Sequence, residues 1–109
     1  MYPLHLYSHT SIIVCMSNVL REEFLESLLQ IKSKAEMEAF LNGILTPQEL
    51  TDLPKRLEIF KMLKAGIPQH EIAKRLGVGV ATVTRGSHEL QRGQIQKTGW
   101  WRKLTELSG

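Results

Sequence analysis

The chain has 109 residues, a mass of 12.4 kDa, a formal charge of +3 and a pI near 9.2. That is room for one domain, which as a monomer would bury only about 60–70% of its unfolded surface. A single cysteine, Cys15, excludes an internal disulfide framework and fits a reducing, cytoplasmic compartment.

The opening stretch, MYPLHLYSHTSIIVCM, lacks helical periodicity and lacks the basic region and long apolar core of a secretory signal. Residues 1–16 are expected as a disordered arm, with Met16 as a candidate internal start of the domain proper, 17–109. The apolar run IIV, Ile12 to Val14, is too short to cross a membrane, so no membrane partner is expected. From Ser17 a helical pattern begins: Val19, Leu20, Phe24, Leu25, Leu28, Leu29 and Ile31 recur near every 3.6 residues. Ser33 interrupts it, and a shorter helix through Met37, Phe40 and Leu41 is expected to stop at Asn42-Gly43.

LTPQEL then reads as a helix start, with Thr46 as N-cap, Pro47 in the first turn and Glu49 closing a capping box. Pro54 predicts either a kink or a handover between two helices. The segment KRLEIFKMLKAG puts Leu57, Phe60, Met62 and Leu63 near one broad face and ends at Gly66. A final helix carries Trp100, Trp101, Leu104 and Leu107 on one stripe, which suits a core or a subunit interface. No useful alternating pattern occurs, so the fold class is all-α.

Charge is unevenly spread along these elements. Residues 1–54 carry three Lys or Arg against seven Asp or Glu, and residues 55–109 carry eleven against four. A basic second half attracts a polyanion.

RLGVGVATVTRGSHEL, Arg75 to Leu90, raises the question of a phosphate-binding loop. Gly77 and Gly79 are too close together, follow a helix rather than a strand, and are not followed by a phosphate-reaching lysine. A helix-turn-helix fits instead. A first helix from about Pro68 to Leu76 turns Ile72, Ala73 and Leu76 inward, Gly77 makes the turn and Val78 plugs it. Val80, Val83 and Leu90 anchor the second helix, with Val80 also counted among the DNA-facing residues at its start. Gly79, Ala81, Thr82 and Thr84 are short residues that would let this helix sink into a major groove. Gln69 and His70 can reach a phosphate or a base edge, and Lys74, Arg75 and Arg85 add positive charge around the reader. A plain helical hairpin shares the same turn spacing. No Ser/His/Asp or Cys/His arrangement and no metal-ligand spacing of histidines is present, so neither an enzyme nor a metal site is expected.

LTPQE, RLEI and PQHEIAKRLGVGVATVTRGSHEL together resemble the bacterial tryptophan operon repressor family, over Leu45 to Leu90, with ATVTRGS the most specific part. The resemblance implies six helices per subunit, an intertwined all-α homodimer, double-stranded operator DNA as partner and L-tryptophan as corepressor. It also implies ligand contacts at Leu45 and Thr46, at Arg56 and Arg85 on the two faces of the indole, and at Gly86 beside the ring. Glu89 stands where the family has serine near the ligand ammonium, His88 replaces an asparagine, and the link from Arg56 to Glu71 is one residue shorter. A related group of regulators shares the RLE, ML and G pattern, which leaves a ligand-independent DNA-binding regulator on the same fold as the alternative.

Overall fold

A computed structural model describes residues 9–108, with side chains described for residues 15–104. Among them there are six α-helices and no strand: α1 His9–Leu29, α2 Lys34–Ile44, α3 Pro47–Lys64, α4 Gln69–Leu76, α5 Val80–Gln91 and α6 Gly99–Ser108. A single 3-10 turn, Ile95–Lys97, precedes α6. The chain divides into two compact units, one ending at Ile44 and the other beginning at Leu45.

In the first unit, α1 begins at His9, eight residues before the expected Ser17, so helical backbone already runs through the latter part of the expected 1–16 arm. Residues 1–8 lie outside the described residues. The Ser33 hydroxyl accepts from the Glu36 amide and the Glu36 carboxylate accepts from the Lys32 amide, which satisfies donors at the start of α2. The expected stop at Asn42-Gly43 is corrected: α2 runs through both residues to Ile44, and Gly43 has no positive φ. Glycine permits a left-handed ending without requiring one. In the last turn of a helix its entropic cost is at most about 1 kcal/mol.

The second unit opens as its sequence dictates. Thr46 Oγ1 accepts from the Glu49 amide at 3.2 Å and Glu49 Oε1 accepts from the Thr46 amide at 2.8 Å, with Pro47 in the first turn. This reciprocal cap contributes about 1 kcal/mol. α3 then continues unbroken through Pro54, which cannot donate to the Leu50 carbonyl, so there is no handover between two helices.

α3, α4 and α5 pack on one another around Ile59, Met62, Ile72, Ala73 and Val83. Ile72 and Val83 have no exposed surface and Ile59 has 2%. Burying each such side chain stabilises this unit by about 1.5–3 kcal/mol. Leu63, Ile67, Leu76 and Val78 close the edges of the cluster. Leu57, expected on the same face, is 42% exposed. At the other end, the Lys64 ammonium lies 4.1 Å from the Trp101 ring centroid and donates to the Trp101 carbonyl at 3.4 Å. That contact ties the end of α3 to α6, where Trp100 and Trp101 are both half-buried.

Candidate nucleic-acid interface and adjoining cleft

The sharp turn between α4 and α5 is built by Gly77. Its φ of 65° is left-handed, and the amides of both Gly77 and Val78 bond back to the Ala73 carbonyl. Val78 seats on the core beneath. Helix-turn-helix geometry follows: α4, turn, α5, with Ile72, Ala73 and Val83 buried between them.

Gly79 caps α5 without a side-chain hydrogen bond, and no acidic residue stands in the first turn. The first amides of α5 therefore remain donors for an anion. Gly79, Ala81 and Thr82 are exposed. Val80 is 49% exposed and so does not anchor the helix. The anchoring falls to fully buried Val83 and half-buried Leu90, while Val80 stays with the outward set. Val80 shares a helix face with Val83 but stands in the first turn of α5, at the end of the helix and outside the core cluster.

His70 and Lys74 are exposed on α4. Arg75 is less free than its sequence position suggests, since its Nε bonds Glu71 Oε1 at 2.9 Å, one turn back. Such an exposed pair contributes about 0.3–0.5 kcal/mol, and it competes with a phosphate for the arginine. Gln69 and Thr84, both assigned outward in the sequence, are half-buried and meet: the Thr84 hydroxyl donates to Gln69 Oε1 at 2.6 Å.

Behind the reader lies a cleft of about 790 Å³. α3 supplies Gln48, Asp52, Lys55, Arg56, Ile59 and Phe60, and the turn supplies Gly77, Val78 and Gly79. α5 adds Thr82, Arg85, Gly86 and Glu89, and Gln94 and Ile95 finish the rim. Four expected ligand residues thus converge here: Arg56, Arg85, Gly86 and Glu89. Leu45 and Thr46 do not line the cleft, and the Thr46 hydroxyl is engaged in the α3 cap. The cleft combines apolar Ile59, Phe60, Val78 and Ile95 with three cations and two carboxylates. That composition suits a small zwitterion carrying an apolar body.

At Gly86, α5 comes close against α3. A Cβ there would stand 2.9 Å from Ile59 Cγ2, and Ile59 is buried with little room to yield. Glu89 is held by Arg92, whose Nη1 lies 3.0 and 3.3 Å from its two carboxylate oxygens at the exposed rim. Gln48, Asp52, Lys55 and Ile59 were missed in the sequence. They follow one another at helical spacing on the face beside Arg56, and a helical projection from Arg56 finds them. Gln94 and Ile95 carry no such signal, because the link after α5 has no periodicity.

A family model described as Trp repressor protein matches residues 20–105. A Trp operon repressor homolog of Aliivibrio fischeri is 41% identical over 69 residues, covering 62% of this chain and 64% of that protein. One of Vibrio atlanticus is 42% identical over 59 residues, covering 53% and 60%. One of Xylella fastidiosa is 36% identical over 81 residues, covering 70% and 88%. The chain thus spans just under two thirds of the length of the Aliivibrio fischeri relative. No solved structure matches it.

Proposed function

The chain belongs to the Trp repressor family, and from that premise we propose that it is a homodimeric transcriptional repressor that binds double-stranded operator DNA when activated by L-tryptophan. α5 is the reader: its short exposed residues Gly79, Ala81 and Thr82 admit a groove wall, and its uncapped amides suit a phosphate. Lys74, His70 and Gln69 flank it from α4.

The observation that carries the ligand half is the cleft itself. One wall is α3, and the other is the turn and the reader helix. A molecule held there touches both, so its affinity depends on how the reader stands against α3. Only such a difference lets a ligand bias the reader. Arg56 and Arg85 offer planar cations to an indole and donors to a carboxylate, and Glu89 offers an acceptor to an ammonium.

The homodimer rests on apolar surface left uncovered. Leu20, Phe24, Leu25 and Leu29 on α1 are 43–77% exposed, and Leu53 and Leu57 on α3 are 38% and 42% exposed. Surface of this kind marks an association site, and a second copy would also provide two readers at the roughly 34–36 Å spacing of successive grooves.

Titration calorimetry tests the ligand half. L-Tryptophan is expected to bind, with Arg85→Ala weakening it by about tenfold or more, the scale of a lost charge-assisted contact. Indole-3-propionate, lacking the ammonium, is expected to bind more weakly, and Glu89→Ser should narrow that gap. Absence of binding by L-tryptophan itself would overturn the corepressor role. It would favour the ligand-independent regulator, in which the Glu89–Arg92 pair simply closes the rim.

A further inference from the structure

We propose that Thr84 is a positioning residue, which acts on DNA through Gln69 rather than by touching a phosphate itself. The inference rests on the DNA-binding reading above. Its ground is the hydrogen bond from Thr84 Oγ1 to Gln69 Oε1, 2.6 Å long and partly buried, between residues fifteen apart in sequence. Gln69 opens α4 and Thr84 stands in the second turn of α5, so the bond ties the two helices together above Ile72 and Val83.

Two consequences follow from the chemistry. Thr84 spends its single O–H on Gln69, so it has no proton left to donate to a phosphate, which can only accept. Gln69, with Oε1 occupied, keeps its two amide N–H donors. Nε2 has no protein partner in the bond that holds this side chain, and among the described residues no buried side-chain nitrogen or oxygen lacks one, so Nε2 meets solvent. With the hydroxyl donating to Oε1, the N–H end of the amide faces outward. The reversed amide would aim lone pairs at the phosphate oxygens. Holding the side chain in place also removes part of the rotamer entropy that a free glutamine loses on binding.

The test is a double-mutant cycle on the full chain. The probe is a mixed-sequence duplex of about 30 base pairs at low salt, since a phosphate contact is independent of sequence. Thr84→Val keeps the shape and removes the hydroxyl; it is expected to weaken binding about fivefold, the scale of one hydrogen bond. In a Gln69→Ala background the same substitution should change affinity by less than about twofold. Thr84→Ser should restore wild-type binding. Gln69→Glu preserves the acceptor for Thr84 but replaces the outward donors by a carboxylate oxygen. It should lose more affinity than Gln69→Ala while keeping the thermal midpoint of the parent. Equal losses from Thr84→Val with and without Gln69 would overturn the proposal and make Thr84 a phosphate contact in its own right. Wild-type affinity in Thr84→Val, with or without a lowered midpoint, would reduce the bond to a structural brace. Failure of the unsubstituted chain to bind the duplex would instead overturn the DNA-binding reading, and this role with it.

Discussion

α1 and the α3–α5 group are both rich in apolar residues yet reach opposite outcomes. Every buried residue among those described lies on α3, α4 or α5, whereas α1 and α2 bury none, and Leu29 on α1 is 77% exposed. The difference is one of closure. α3, α4 and α5 present their apolar faces to one another across a short turn, so a small core seals itself. α1 presents a stripe that the described residues leave largely exposed. A helix gains most of its stability from packing, so α1 requires a partner surface, and the proposed homodimer supplies one.

The largest expected effects break this comparison directly. Ile72→Ala empties a fully enclosed site and should destabilise the chain by about 2–5 kcal/mol in urea unfolding. Phe24→Ser, on the exposed stripe, should do something different in kind. Sedimentation at micromolar concentration should show the parent near twice 12.4 kDa and this variant moving towards 12.4 kDa. If the parent sediments as a folded monomer, the exposed stripe of α1 has another explanation and the dimer is lost.

A smaller effect sharpens the comparison inside the packed unit. Gly86→Ala places a methyl 2.9 Å from Ile59 Cγ2 and should cost about 1–3 kcal/mol of stability, because the buried isoleucine must shift to make room. Gly43→Ala makes the control in the other unit, where an added Cβ meets nothing within 4 Å and should be neutral or mildly stabilising. Thermal midpoints of the two variants measure the contrast, and equal shifts would show that the α3–α5 approach is looser than its geometry.

Much of the second unit was legible in the sequence because its signals are local. Thr46, Pro47 and Glu49 specify a cap within four residues, and Gly77 marks a turn that the flanking apolar spacing already requires. Arg56, Arg85, Gly86 and Glu89 were placed by family resemblance, and the cleft brings those four together. What stayed hidden depends on register between distant elements. Gln48, Asp52 and Lys55 matter only once α3 is laid against α5, and the Gln69–Thr84 bond only once α4 crosses it. Two local signals also misled. Asn42-Gly43 resembles a stop but lies within α2, and the stretch before Ser17 lacks amphipathic spacing yet is helical from His9.

The central claim is that a ligand in the cleft controls the reader, and its most direct measurement is DNA affinity with and without L-tryptophan. A duplex selected by the protein from a random pool, in the presence of tryptophan, serves as the operator. Titrations at one fixed salt concentration should show binding at least about tenfold tighter with saturating tryptophan, equivalent to about 1.4 kcal/mol of coupling. Arg85→Ala should remove most of that gain. Equal affinity in the presence and absence of tryptophan, with sequence-selective binding intact, would contradict tryptophan activation and leave a ligand-independent regulator on the same helix-turn-helix.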